Sequence, residues 1–108
     1  MVTDMARTRN FRRLVQTRVA TDPAFAEALL REGIEVMLQG DIETGKTILR
    51  DYIKATVGFE KLGAATSTSP KSLIRMFGSR GNPKVTNLFS VIGYLQKRAG
   101  LHLQISKN

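Results

Sequence analysis

The 108-residue sequence contains no cysteine and no tryptophan, and it has only five phenylalanines and two tyrosines. Without thiols, disulfide bonds and thiolate metal sites are excluded. The scarcity of aromatic rings predicts a mostly aliphatic core, and the length suits one domain that is large enough to bury such a core. No apolar run approaches the roughly 20 residues of a membrane-spanning helix. The composition therefore predicts a soluble protein that has no membrane partner.

Acidic residues are missing from the C-terminal part of the chain. Residues 1–20 carry five arginines and one aspartate, residues 21–66 carry five bases and eight acids, and residues 67–108 carry seven bases and no acid. These segments contribute +4, −3 and +7 to the net charge of +8. Positive charge gathered in one part of a sequence is typical of a surface that binds phosphates. A basic, soluble surface that binds no nucleic acid has the same composition, so charge alone does not decide between the two.

Three helices are predicted in the first half of the chain, where apolar residues recur at helical spacing. Asp22 followed by Pro23 is typical of an N-cap and a first helical residue, and Gly40 ends that second helix. Asp41 is placed to cap the third helix. Apolar side chains cover so much of the second helix that burial on more than one side is expected, in the monomer or in a dimer. The three helices form a predicted N-terminal helical part over residues 1–57, at about residues 11–19, 23–39 and 42–56.

Residues 40–47, Gly-Asp-Ile-Glu-Thr-Gly-Lys-Thr, satisfy the pattern of a phosphate-binding loop. In a true loop of this kind a strand leads into the glycines, the lysine contacts the outer phosphates and the following threonine binds magnesium. Here the preceding segment is predicted to be helical, and no later apolar strand ends in a metal-binding aspartate. We therefore predict no cofactor and keep nucleotide binding as a remote alternative. The match to the pattern is interpreted as a coincidence at Gly40, Gly45, Lys46 and Thr47.

Residues 59–77 predict two short helices that meet at a polar break. Ser69 is suited to cap the second helix, and Pro70 is suited to be its first residue, where a missing N–H costs nothing. Leu62 in the first helix and Leu73 in the second lie where two crossing helices would touch. The opposite face of the second helix is open and basic, as major-groove recognition requires. This face contains Lys71, Ile74, Arg75 and Gly78.

The remaining C-terminal residues predict a loop, a long helix and a strand. A breaker-rich loop covers residues 78–83, a helix follows over about residues 86–98, and Gly100 stops it. Residues 101–105 alternate between apolar and polar side chains, which predicts a short strand that pairs with a second copy or a partner chain. The expected fold is all-α, a small helical bundle containing a helix-turn-helix, with an N-terminal helical extension and a short C-terminal β-strand. The helix-turn-helix and the strand together form the predicted DNA-binding part over residues 58–108.

A longer pattern runs through this region, at Leu62, Gly63, Thr66, Ser67, Thr68, Ser69, Ser72, Leu73, Arg75, Gly81, Asn82, Pro83, Leu88, Val91 or Ile92, and Leu95. It resembles the helix-turn-helix of the Cro/Xre repressor superfamily and, more narrowly, the DNA-binding antidotes of addiction modules. Those proteins have a Leu-Ala-x-x-Thr-Gly-Leu-Ser-x-x-Ser-Leu-x-Arg stretch, a Gly-Asn-Pro loop and a Leu-x-x-Val/Ile-x-x-x-Leu helix. The chain departs from their pattern with Gly63 for the alanine, Ser67 for the turn glycine and Thr68 for the following aliphatic residue.

This resemblance implies a sequence-specific DNA-binding transcriptional repressor of bacterial or phage-like type. Such a protein is expected in the cytoplasm, associated with the nucleoid, where it binds double-stranded DNA as a homodimer. The resemblance also implies a toxin protein as a second partner, for which residues 11–57 would be the natural surface. A lone regulator without a toxin stays equally open. The alternative from another class is an interaction module whose helix-turn-helix fold binds no specific DNA and uses its basic face for RNA or an acidic protein.

On this interpretation, Lys71 and Arg75 would reach base edges, because arginine is the commonest bidentate partner of guanine. Ser72 and Ile74 would contact the backbone, a sugar or a thymine methyl group, and residues of the following loop would bind phosphates. The first helix offers a solvated face, or a further DNA-binding arm, at Arg12, Arg13 and Arg18. The complete predicted DNA-binding site is Ser69, Pro70, Lys71, Ser72, Ile74, Arg75, Arg80, Asn82, Lys84 and Asn87.

No catalytic site and no metal site are predicted. His102 is the only histidine in the sequence, and no cysteine or carboxylate cluster accompanies it to form a general-base or metal-ligand set. A lone imidazole on the polar side of a predicted strand is typical of a solvated surface residue. The protein is therefore expected not to be an enzyme.

Overall fold

In the computed structural model, residues 9–101 are described, apart from the side chain of Arg9. These residues fold into helices, in agreement with the predicted all-α class: α1 (Arg9–Thr21), α2 (Pro23–Leu38), α3 (Ile42–Ala55), α4 (Gly58–Thr66), α5 (Pro70–Met76) and α6 (Val85–Ala99). The first three helices pack against one another, and α4 contacts α3, α5 and α6. The short helix α4, which is the first helix of the predicted helix-turn-helix, therefore connects the N-terminal helices to α5 and α6.

Side-chain caps fix the starts of α2 and α3. The Asp22 carboxylate accepts a hydrogen bond from the backbone N–H of Phe25 (3.2 Å) and one from the Arg18 guanidinium (3.1 Å). Both bonds lower the pKa of Asp22, the backbone bond more strongly, because each stabilises the charged form. Asp41 accepts from the backbone N–H of Thr44 at 3.2 Å. Both predicted helix starts are therefore confirmed.

The core of the described residues is aliphatic, as the composition predicts. Two glycines allow α2 and α3 to approach closely: a Cβ atom on Gly33 would lie 2.9 Å from Leu49 Cδ2, and one on Gly45 would overlap with the Met37 side chain. Close approach of two helices excludes voids and favours a rigid pair. The aliphatic side chains with no exposed surface come from four helices: Leu30, Leu49, Ile53, Leu62 and Leu95.

The prediction of a C-terminal strand is wrong, and the way in which α6 ends explains why. No strand occurs in the described part of the chain. Gly100 has a left-handed φ of 69°, and the backbone N–H of Leu101 donates to the carbonyl of Gln96 at 2.9 Å. This is the Schellman pattern of helix termination, in which the residue after the glycine packs back onto the helix, and Leu101 is buried. The other four positions of the predicted strand, within residues 101–105, lie outside the described residues, and a dimer contact through the strand is not retained.

Candidate nucleic-acid interface

A tight turn joins α4 and α5, at the position of the predicted polar break. Ser67 ends α4 with a left-handed φ of 54°, the conformation that glycine adopts most easily and that costs other residues roughly 1–2 kcal/mol. The backbone N–H of Thr68 donates to the carbonyl of Gly63 at 3.0 Å. Thr66 and Thr68 each donate a hydroxyl hydrogen bond to a nearby backbone carbonyl. The turn is therefore held by its own polar side chains.

The three departures from the repressor pattern belong to one local arrangement. A Cβ atom on Gly63 would lie 2.5 Å from the carbonyl oxygen of Thr68 and 3.4 Å from Pro70 Cδ, so the turn backbone lies directly on α4. An alanine does not fit this spacing without a shift of the turn. Ser67 occupies the left-handed position, and Thr68 is half-buried with its hydroxyl bonded to the carbonyl of Thr66. The turn packs closely with a hydroxyl at the position where the repressor pattern has an aliphatic side chain.

Helix α5 has one buried face and one exposed face. Its start is capped by Ser69, whose hydroxyl oxygen accepts from the backbone N–H of Ser72 at 3.1 Å and whose hydroxyl donates to Ser72 Oγ at 2.9 Å. Leu73 and Met76 are buried against the other helices. The exposed face contains Lys71, Ser72, Ile74 and Arg75.

The structure places the other predicted site residues in two groups. Pro70 is half-buried next to Gly63 and belongs to the packing of the turn. Ser69 is exposed, but its hydroxyl is engaged in the helix cap. Exposed side chains extend from the loop after α5 and from the start of α6, at Arg80, Asn82, Lys84 and Asn87. Contact of any of these residues with DNA stays a prediction.

Lys46 is a residue of this region whose role the sequence did not indicate. It belongs to α3, its side chain is only 1% exposed, and its ammonium donates to the carbonyls of Gly78 and Gly81 at 2.8 Å each. Glu43 Oε2 lies 3.1 Å from the same ammonium. The acceptors lie in the loop after α5, and an ammonium donates strong, charge-assisted hydrogen bonds to such carbonyl oxygens. Lys46 therefore attaches α3 to the loop that follows the candidate recognition helix.

The contacts of Lys46 and its neighbours are not those of a phosphate-binding loop. Gly45, Lys46 and Thr47 lie inside helix α3, and the segment that precedes them is helix α2. The Lys46 ammonium is already bonded to two carbonyls and one carboxylate. Thr47 donates its hydroxyl to the carbonyl of Glu43. These residues therefore present neither free backbone N–H groups nor a free cation to a nucleotide.

The loop after α5 folds back onto the helix. A Cβ atom on Gly81 would overlap with the carbonyl oxygen of Arg75 and would lie 2.6 Å from that of Met76. The backbone N–H of Gly81 donates to the carbonyl of Gly78 at 3.0 Å. Close approach and the bonds to Lys46 thus fix the loop backbone from two sides. This geometry holds the exposed Arg80 beside the end of α5.

Comparisons with known proteins give no relative for this chain: no family model matches it, and no curated protein and no solved structure matches it. None of the helices described is both long and apolar enough to cross a membrane. Within residues 9–101, no group of three or more histidine, cysteine or acidic side chains is arranged to hold a metal ion. The functional assignment therefore depends on the residues of the chain itself.

Proposed function

We propose that the protein is a sequence-specific DNA-binding repressor that acts in the cytoplasm as a homodimer on a two-fold operator. The observation that carries this proposal is the exposed face of α5, whose opposite face is buried and whose N-terminus is capped. A short helix held in this way can enter the major groove without losing its own packing. The face presents Lys71 and Arg75 one turn apart, with Ile74 between them and 52% exposed.

The charge distribution around α5 supports the same proposal. The last acidic residue of the sequence is Glu60, so α5, the following loop and α6 carry bases without any carboxylate to repel a phosphate. Loop residues Arg80 and Lys84 are exposed and are suited to the DNA backbone. Contacts of this kind supply affinity and orientation, whereas contacts to base edges supply sequence preference.

Replacing Arg75 by alanine should weaken binding to the cognate operator by about 1–3 kcal/mol and relax sequence preference. The measurement is a titration of wild-type and variant protein against the upstream intergenic DNA of the gene and against a scrambled duplex, at two salt concentrations. Wild-type protein should prefer the upstream DNA by roughly 10³-fold or more, with a steep salt dependence.

The matched variant for this titration is Lys84→Ala, which should weaken binding to both duplexes about equally and reduce the salt slope by about 1. Equal losses on both duplexes for Arg75→Ala would contradict the role of Arg75 in base recognition. Weak, equal binding of the wild-type protein to both duplexes would contradict specific DNA binding altogether. The interaction module with a basic face would then be the better interpretation.

We also infer a second role, as the antitoxin of a basic toxin protein, from the outer face of α2. Exposed Ala24 and Ala28 form part of a shallow groove of about 410 Å³. Three carboxylates and the guanidinium of Arg31 line the groove, which gives the lining a formal charge of −2, and none of the three carboxylates forms an ion pair with a described residue. Acidic side chains around small ones complement a basic helix of a partner. The carboxylates are Glu27, Glu32 and Glu35.

Charge reversal tests this second role. The double substitution Glu32→Lys and Glu35→Lys should weaken binding to the purified product of the adjacent gene by about tenfold or more, since like charges at an interface are repulsive. Glu60→Lys, an exposed reversal on α4, is the control and should leave binding unchanged. Isothermal titration calorimetry measures both. Unchanged binding of the double variant would contradict the assignment of this surface.

A further inference from the structure

Two arginines from different helices lie near each other, and neither has an acceptor in the part of the chain that the structure describes. Arg12 in α1 and Arg50 in α3 are both half-buried, at the contact between these helices. The Nε atom of each is buried and has no hydrogen-bond partner among residues 9–101. Neither guanidinium donates a hydrogen bond or forms an ion pair with any described residue. A buried donor without a partner is destabilising, and a charged one more so, so the pair needs an explanation.

The charges around this pair do not balance. Burial lowers the pKa of the Arg50 guanidinium and the charge of Arg12 lowers it further, whereas Asp51 is the one described residue that raises it. Asp51 is 7% exposed and accepts a hydrogen bond from Gln16 Nε2 at 3.3 Å. The packed helices thus hold two positive charges beside one negative charge. An additional anion would complete the neutralisation.

The geometry points to a phosphate: we propose that Arg12 and Arg50 form a two-arginine site that binds a phosphate oxyanion. Guanidinium groups offer paired N–H donors that match phosphate oxygens. One tetrahedral phosphate between the two side chains can accept from both of them at once. The neighbouring Arg13 is exposed and, one residue later on the helix, does not share the face of Arg12, so it provides a matched control.

The position of this two-arginine site relates it to the candidate DNA interface. Arg50 follows Lys46 by one helical turn on the same face of α3, where side chains four residues apart are neighbours. Lys46 holds the loop that carries the exposed Arg80. Two sources of the phosphate fit this position. The first is the DNA backbone, and this case rests on the proposed function. The second is free phosphate, and this case does not depend on the proposed function.

Thermal unfolding of the full chain tests phosphate binding independently of DNA. Inorganic phosphate, compared with chloride at equal ionic strength, should raise the melting temperature of the wild-type protein by about 5 °C at a tenfold excess over the dissociation constant. Arg12→Gln and Arg50→Gln should each abolish this rise, and Arg13→Gln should keep it. In chloride the Arg50→Gln variant should melt no lower than the wild type, because a repulsive contact is removed. No rise in the wild type, or an equal rise in all variants, overturns the proposal.

A salt titration with DNA then separates the two sources of phosphate. If the phosphate belongs to the DNA backbone, Arg12→Gln should reduce the slope of log K against log salt by about 0.9 on cognate and scrambled duplexes alike. If the slope is unchanged while the phosphate-dependent rise is lost, the ligand is free phosphate. Failure of the wild-type protein to bind DNA contradicts the proposed function and leaves the thermal test of the two-arginine site decisive. An unchanged slope together with an unchanged thermal response overturns the site.

Discussion

Lys46→Met is expected to destabilise the folded protein by about 3 kcal/mol, because hydrogen bonds to charged groups contribute roughly 1.5–3 kcal/mol each and two carbonyls lose their donor. Methionine keeps the length and the apolar part of the side chain, so the loss reports the ammonium and not a cavity. The ammonium holds the carbonyls of Gly78 and Gly81 at 2.8 Å. The melting temperature should fall by about 10 °C or more.

The control for this variant is Lys54→Met on the same helix, since Lys54 is exposed and should be replaceable with little change. Both variants are compared by chemical denaturation and by DNA binding at a temperature where each is folded. Lys46→Met should also bind all DNA more weakly, because the loop that carries Arg80 loses its attachment to α3. Equal stability of the two variants would show that the buried ammonium contributes nothing.

Gly81→Ala is expected to be the most damaging single methyl addition in the loop. The new Cβ would overlap with the carbonyl oxygen of Arg75 and approach that of Met76 to 2.6 Å, and backbone atoms cannot rotate away as a side chain can. The end of α5 or the loop must therefore shift, at a cost of about 2–4 kcal/mol. Because Arg75 lies in the displaced turn, affinity for the operator should fall together with the free energy of unfolding.

Gly78→Ala is the matched control, three residues earlier in the same loop. A Cβ atom there would lie 3.4 Å from the carbonyl oxygen of Arg75, an ordinary contact that needs little adjustment. This variant should keep its free energy of unfolding within about 1 kcal/mol of the wild type and retain operator binding. Equal stability of the two alanine variants would contradict the claim that the close packing of Gly81 on α5 fixes the loop.

Helix ends were predictable because each depends on a few neighbouring residues. Asp22 with Pro23, and Ser69 with Pro70, start helices α2 and α5 where the sequence indicates. A capping side chain and the N–H that it binds lie within three residues of each other, so the sequence contains the whole interaction. The exposed basic face of α5 follows from the same local periodicity.

Contacts between distant residues were not predictable in the same way. Lys46 binds carbonyls 32 and 35 residues later, and no local pattern identifies those acceptors. One signal for the buried lysine was available in the sequence. Lys46 lies on the same helical stripe as Leu49 and Ile53, which are both fully buried, and a lysine within an apolar stripe needs a hydrogen-bond partner. The strand prediction was wrong for a related reason, because alternation at residues 101–105 does not reveal that Leu101 packs back onto its own helix.

The Lys46 contact limits how this chain can be divided and recombined. A recombination joint near residue 57 would separate the ammonium from both of its carbonyl acceptors, and the released N-terminal half would expose apolar surface beside a cation whose remaining partner is Glu43. Conversely, a transplanted helix-turn-helix would lack the donor that fixes its loop. The half that contains α4, α5 and α6 is therefore not an independently exchangeable unit, and a stable graft would have to include α3.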